Sequence, residues 1–200
     1  MRTPIAVIRG YADMLDRWGK TDEAVLDESI AALKSESEHM HELVEQLLFL
    51  ARGDAGRNTL TTAHVNFARL AYDVWEGSEM IDPDHCYILG FDATFMNEPH
   101  YQVVGDIALL KQCLRTIAHN AARYSPSNTS ITFDVSYDEK YVRVSIQDEG
   151  IGISDAVVSH IFERFWRADR ARAENNDGSG LGLSIAKWIV DSHDGSIDAL

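Results

Sequence analysis

From Thr3 to Leu15 the apolar residues Ile5, Ile8, Ala12 and Leu15 recur in steps of three and four, the spacing of one helical face. Pro4 suits the first turn of such a helix, where no N–H bond is lost. Trp18-Gly19-Lys20-Thr21 breaks the pattern, and from Leu26 a longer series runs through Ile30, Leu33, Ser37, Met40, Val44, Leu47 and Ala51. Its steps alternate four and three, a heptad seam, and Asp27, Glu28, Glu36, Glu38, Glu42 and Glu45 lie between as a solvated acidic face. Two antiparallel helices cannot enclose both seams. Residues 1–53 therefore predict a hairpin that pairs with a second copy, through residues 5–51, into a dimeric four-helix bundle. A hairpin packed on its own globular domain is the alternative.

Gly53-Asp54-Ala55-Gly56-Arg57-Asn58 is a linker signal, and the linker is set at residues 54–63. Residues 64–200 then change texture to short elements. The patterns predict a helix near Phe67–Glu76, strands at Cys86–Phe91 and Tyr101–Val104, and a helix from Asp106 to Tyr124. A hairpin of strands follows at Ser130–Ser136 and Tyr141–Gln147, then a short helix over Asp155–Phe165, a Gly- and Asn-rich loop over Ala173–Gly180 and a helix over Leu181–His193. Strands mixed with helices make the second domain α+β. Ser196–Leu200 alternates like the start of a strand, so the chain reads as clipped at both outer edges.

The 200 residues carry 18 basic and 32 acidic side chains, a net charge of −14, with 45% hydrophobic residues, which excludes a disordered chain. The acidic balance argues against general nucleic-acid or anionic-membrane binding, so any phosphate must meet a local basic patch. Cys86 and Cys113 stand far apart without C-x-x-C spacing, which suits free thiols in a reducing compartment. No run of about 18 apolar residues occurs, so no membrane segment is expected and the fragment reads as cytoplasmic.

Four stretches carry candidate chemistry. The alternating strand ending at Gln147 leads into Asp148, with Gly150 and Gly152 behind it. Glycines there let the backbone approach a ligand while the carboxylate accepts from an exocyclic amine such as adenine's. An ordinary Gly-rich turn is the other reading. Gly178, Ser179, Gly180, Leu181 and Gly182 open an apolar helix, and free N–H groups with the helix dipole make such a start an anion site. No Gly-Lys-Ser/Thr follows and no strand lies just upstream, so Walker and dinucleotide-binding loops are excluded, while a capping loop stays open. Asn120 and Arg123 share a helical face. Asn120 offers a neutral oxygen for Mg²⁺, Arg123 a charge for phosphate and Tyr124 a ring for a base; a cap, a surface charge and a core ring are the rival readings. Finally, Arg164, Arg167, Arg170 and Arg172 interleave with Phe162, Phe165 and Trp166. This is the basic patch that the composition requires, on a segment with anchors for opening and closing, unless it is simply a solvated helix end.

Taken in order, the Asn120 helix, the Asp148 strand-turn, the aromatic-Arg segment and the Gly178 loop-helix resemble the N, first-glycine, F and second-glycine boxes of sensor histidine kinases. Arg2-Thr3-Pro4-Ile5 is similar to the tail of that family's His-Glu-x-Arg-Thr-Pro motif, and the heptad hairpin to its dimerisation bundle. The resemblance covers nearly the whole chain. In the family the phosphoacceptor His stands four residues before that Thr, followed by an acid that acts as general base; here Thr3 has only Arg2 and Met1 ahead of it. His39 and His41 fall on the second helix and His119 merely precedes Asn120. Thr116 stands where the N box usually holds another Asn, Arg123 replaces a phosphate-contacting Lys, and the closing Gly-Thr-x-Phe strand pattern is missing.

The resemblance implies an α/β sandwich ATP-binding domain of the GHKL type, with ATP and Mg²⁺ as its ligands. Asp148 would meet the adenine amine with Gly150 and Gly152 beside it, Tyr124 the base, and Asn120 the Mg²⁺. Arg123, Arg164 and Arg167 join the ATP site, and Gly178, Ser179, Gly180, Leu181 and Gly182 surround the phosphates. Residues 150–180 form the lid. The γ-phosphoryl passes in line to a bundle His and then to an Asp of a response-regulator receiver domain, mostly by positioning and charge neutralisation. Thr3 matches the position that in many relatives orients water for dephosphorylating the regulator. The parent is expected to be anchored in the inner membrane, and this chain to bind Mg·ATP without autophosphorylating. Two alternatives are carried: a non-catalytic dimeric nucleotide-binding module or regulator phosphatase, and a wider GHKL relative such as a mismatch-repair, gyrase or chaperone-type ATPase or an anti-sigma serine kinase.

Overall fold

The computed structural model describes residues 2–19, 22–96, 98–167 and 178–200. They fall into two compact units, Met1–Ala55 and Gly56–Leu200. Arg170, Arg172 and residues 173–177 of the expected loop lie outside the described residues.

The first unit is a hairpin of α1 (Arg2–Trp18) and α2 (Glu23–Asp54). Asp22 starts α2: its Oδ1 accepts the N–H groups of Ala24 at 3.0 Å and Val25 at 3.3 Å, two donors that the helix itself leaves unpaired. At 32 residues α2 is about 48 Å long. The heptad series splits lengthwise. Leu26, Leu33, Met40 and Leu47 are half-buried beside buried Ser29 and Leu50, whereas Ile30 at 41% and Val44 at 46% exposure stay open with Ser37 and Ala51. Ile5 and Leu48 are open as well.

The second unit runs β1 (Ala63–Asn66), α3 (Phe67–Ile81), β2 (Cys86–Leu89), β3 (Gln102–Gly105), α4 (Ile107–Tyr124), β4 (Ser130–Tyr137), β5 (Val142–Gln147), α5 (Asp155–Val158) and α6 (Gly182–Asp191). Short 3₁₀ turns at Ala93–Phe95 and Pro99–Tyr101 precede β3. In the main sheet β2 lies parallel to β4, with Cys86 opposite Ser130, and β5 lies antiparallel, with Val135 opposite Val144. β1 and β3 pair separately, Ala63 opposite Gly105. Alternation along β4 sends Ile131, Phe133 and Val135 inward. Leu70 and Val74 of α3, Leu110 and Leu114 of α4, and Ile185 and Ile189 of α6 complete that core. Helices α3, α4 and α6 pack in series, and α3 and α4 contact the sheet, which makes a two-layer α/β sandwich.

Several expected boundaries move. The helix expected over Asp155–Phe165 stops at Val158, because Ile161 is drawn into the core and Phe165 adopts φ +63°. β2 ends at Leu89, two residues short, although the Gly90 N–H still reaches the Phe133 carbonyl at 2.7 Å. Ser196–Leu200 is irregular rather than the start of a strand, since an alternating pattern forms a strand only against a neighbour. β1 is an addition: four residues carry too little periodicity to read, and pairing with β3 makes the strand.

Candidate functional site

Helix α4 carries Asn120, Arg123 and Tyr124 in its last turns, so what fixes α4 fixes them. At its start Asp106 Oδ1 accepts the N–H groups of Ala108 at 3.0 Å and Leu109 at 3.2 Å, and Oδ2 accepts that of Thr61 at 2.9 Å. The Thr61 bond leads the forces on this carboxyl; burial opposes it, and the Leu109 and Ala108 bonds add to it, holding Asp106 below the usual carboxylate range. The Asp106 N–H donates to His193 Nε2 at 2.9 Å, while His193 Nδ1 lies 2.7 Å from the Ile189 carbonyl. One partner donates and the other accepts, so the ring is neutral and staples the end of α6 to the start of α4. Cys113 of α4 lies 3.8 Å from the Ala186 carbonyl of α6. Burial pushes its thiol up to about 12, which makes it packing rather than a nucleophile.

The candidate motifs meet at the other end of α4. A Cβ on Gly178 would come within 2.9 Å of the Arg123 guanidinium, so the loop and that cation are close neighbours. The guanidinium also lies 6.0 Å from the centre of the Tyr124 ring. The Tyr124 carbonyl accepts the Ile151 N–H at 3.3 Å. A Cβ on Gly150 would stand 2.6 Å from that carbonyl oxygen and 2.7 Å from Asp148 Oδ1, so the first glycine box needs an absent side chain. Asp148 Oδ1 accepts the Gly150 N–H at 2.8 Å, and the aspartate is exposed beside Gly152, which borders open space.

The second glycine box closes the arrangement. Gly180, at φ +70°, accepts the Phe165 N–H on its carbonyl at 2.9 Å, and a Cβ there would meet the Phe165 backbone at 2.9 Å. Exposed Arg164 and half-buried Arg167 flank Phe165. Ser179 Oγ accepts the Leu181 N–H at 3.2 Å, and the carbonyl of fully buried Leu181 accepts the Ser184 hydroxyl at 2.8 Å. Gly182 starts α6 against α4, where a Cβ would sit 3.1 Å from the Thr116 methyl. The Thr116 hydroxyl is turned back to the Gln112 carbonyl at 2.9 Å, so this position presents a methyl where the resemblance has an amide. Thr3 falls in the first turn of α1, in the first unit.

Sequence reasoning passed over Thr61 and His193. Thr61 acts through its backbone and leaves no signature. The spacing of His193 four residues after Ile189 was the available signal, since it lets a ring cap its own helix.

Residues 1–56 match the family described as His Kinase A (phospho-acceptor) domain, and residues 105–199 the family of Histidine kinase-, DNA gyrase B-, and HSP90-like ATPase. The probable sensor histidine kinase TcrY of Mycobacterium tuberculosis is 36% identical over 197 residues, 98% of this chain and 40% of that protein. Sensor histidine kinase YkoH of Bacillus subtilis is 34% identical over 199 residues, 96% of this chain and 40% of that protein. The chain thus spans 40% of the length of these relatives. Among solved structures, the catalytic domain of histidine kinase ThkA superposes with a TM-score of 0.55 at 27% identity, over 68% of this chain and 86% of that one. ThkA in complex with response regulator protein TrrA shares the fold, with a TM-score of 0.70 at 22% identity over 97% of this chain and 52% of that chain. Among the described residues no helix is long and apolar enough to cross a membrane. A phospho-acceptor match in front of the ATPase match leaves no place for the gyrase-, repair- or chaperone-type alternative. The chain belongs to the sensor histidine kinases of two-component systems and comprises a phospho-acceptor-family hairpin followed by the ATP-binding domain of the kinase core.

Proposed function

We propose that the end of α4 binds Mg·ATP, and that in the whole protein the γ-phosphoryl passes to a His on the hairpin and then to an Asp of a response-regulator receiver domain. One observation supports this above others: segments far apart in sequence converge at the end of α4, with Gly150 set against the Tyr124 carbonyl, where a Cβ would stand 2.6 Å away, and Gly178 beside the Arg123 guanidinium. Asp148, exposed beside the open space at Gly152, would meet the adenine amine, with Tyr124 near the base. Arg123, with Arg164 and Arg167 of the lid, faces the phosphates, and the N–H groups that open α6 at Gly178–Gly182 complete the cradle. Among the described residues no three His, Cys, Asp or Glu gather into a metal cage. The neutral amide oxygen of Asn120 suits Mg²⁺ that is held mainly by the phosphates, with Asn120 as its protein ligand. Bound there beside Asn120, the ion would supply neutralisation of charge on the transferred group.

The open residues Ile5, Ile30, Val44 and Leu48 suit a second copy of the hairpin, packed through residues 5–51 into a four-helix bundle. Residues 54–63, from the last residue of α2 to the first of β1, serve as the linker to the ATP domain, 64–200. The solved ThkA complex with response regulator protein TrrA supports a receiver domain as partner here. Thr3, in the first turn of α1, supports a second role in regulator dephosphorylation. The core works on the cytoplasmic side of a membrane-anchored parent.

Calorimetry on the Asp148→Asn variant tests the nucleotide site. Loss of a charge-assisted hydrogen bond weakens Mg·ATP binding by more than about tenfold, and equal affinities would overturn the assignment of Asp148. With labelled ATP, these 200 residues acquire no acid-labile phosphohistidine, because none of the eight His stands at the phosphoacceptor position.

A further inference from the structure

A second cluster of titratable groups lies outside the candidate site and touches it through one carbonyl. In the turn between α3 and β2, Asp82 Oδ2 lies 2.7 Å from His85 Nδ1. The His85 side chain is 9% exposed and that of Asp82 22%. Tyr87 on β2 donates its hydroxyl to the same Oδ2 at 2.9 Å, and the Asp84 N–H donates to Oδ1 at 3.0 Å. On its other side His85 Nε2 lies 3.3 Å from the carbonyl of Ser125, the residue that caps α4 directly after Tyr124.

These partners fix the number of protons on the ring. A carboxylate and a backbone carbonyl only accept, so both nitrogens must donate, and only the imidazolium does that. His193 is the internal contrast, neutral between one donor and one acceptor. A cation at the end of α4 also faces the negative pole of the helix dipole. Burial pushes the His85 value down, but the Asp82 and Ser125 hydrogen bonds and the charges of Asp82 and Asp84 outweigh it and leave it raised. For Asp82 burial pushes up, and hydrogen bonds from His85, Tyr87 and the Asp84 backbone with the His85 charge outweigh it, leaving it lowered. Burial and then Asp82 push the Tyr87 phenol up, so it remains a donor. Arg123, the charged group on the last turn of α4, lies at Gly178 instead.

We propose that His85, as an imidazolium bridging Asp82 to the Ser125 carbonyl, is a positioning residue for nucleotide: it holds the exit of α4 and so the Tyr124 carbonyl against which Gly150 and Ile151 are set. This rests on the reading of that end of α4 as the ATP site. Protonated ring and bound nucleotide favour the same backbone, so by linkage each strengthens the other. Because the folded value is raised, the clamp is complete below the ordinary His range and is lost as pH climbs through the folded value.

The test uses the whole chain, ring ¹⁵N NMR of His85, and calorimetry with Mg·ADP on wild type and His85→Gln. At about pH 6 both ring nitrogens carry protons. Between about pH 6 and 9 the wild-type affinity falls about fivefold, and saturating Mg·ADP raises the ring's titration midpoint by the matching amount, about 0.7. His85→Gln binds at the weaker level with a flat pH profile. A bare ring nitrogen at the acid end, a flat wild-type profile, or a wild-type slope retained in His85→Gln each overturns the proposal. If His85→Gln does not fold, the wild-type midpoint with and without Mg·ADP decides alone. Should wild type bind no nucleotide at any pH, the ATP-site reading fails separately, and the Ser125 and Ile151 amide signals judge the clamp: titration together with the ring supports it, and silence overturns it.

Discussion

The two units bury apolar residues in opposite ways. In Gly56–Leu200, Ile131, Phe133, Leu181, Ile185 and Ile189 from both layers are at most 2% exposed. In Met1–Ala55 only Ser29 and Leu50 among the described residues are buried, and half of the heptad seam lies open. One unit owns its core and the other supplies part of one. A heptad pattern therefore reports that a helix is amphipathic, whereas the division between covered and open seam positions reports how many helices must share it.

Four substitutions probe that difference. Phe133→Ala removes a fully buried ring 6.4 Å from that of Tyr87 and costs the second unit about 3–5 kcal/mol, read as a lower urea midpoint together with lost Mg·ATP binding. The hairpin should stay associated; if it separates too, the units are not independent in their cores. Val44→Asp sets a charge in the open seam and weakens self-association about 100-fold, close to 2.7 kcal/mol, in sedimentation velocity. Nucleotide affinity stays at the wild-type level, and an unweakened dimer would move the partner surface elsewhere. Asp106→Ala removes the α4 cap and the Thr61 tie for about 1–2 kcal/mol. Since the folded carboxyl titrates below the ordinary Asp value, its contribution is present above that value and is lost as pH falls through the folded one. Acid melting curves of variant and wild type should converge there. Lys187→Ala breaks only the exposed pair with Asp191 at 3.1 Å and costs under about 0.5 kcal/mol in thermal unfolding, the scale against which the other losses are judged.

Much of the site was legible because glycine and charge leave marks in a sequence. Asp148 with Gly150, and Gly178 with Gly180, announced close approaches, which the structure places against Tyr124, Arg123 and the Phe165 backbone. Helix α4 was legible from period alone, starting one residue after Asp106 and ending at Tyr124 as expected, whereas α3 runs five residues past its expected end at Glu76. The rest depended on partners distant in sequence. β1 exists because Val65 lies opposite Val103, not because four residues prefer strand. The register of the hairpin seam hid behind equivalent apolar residues, since Leu33 and Val44 look alike on a heptad wheel until one is covered. The state of His85 was invisible because its second partner, the Ser125 carbonyl, is forty residues away. The early end of the short helix at Val158 is not legible, because the turn at Phe165 is set by the Gly180 carbonyl, which no local pattern encodes.

Gly150 has a consequence for how this chain can change over generations. Every replacement reachable from a glycine codon by one base adds at least a Cβ, and here that carbon lands 2.6 Å from a backbone oxygen and 2.7 Å from a carboxylate oxygen. A backbone oxygen cannot step aside as the tip of a flexible side chain can. No small first step leads away from this residue, so a lineage that loses glycine here must first shift the end of α4, and drift at this position is closed by geometry before selection on activity begins.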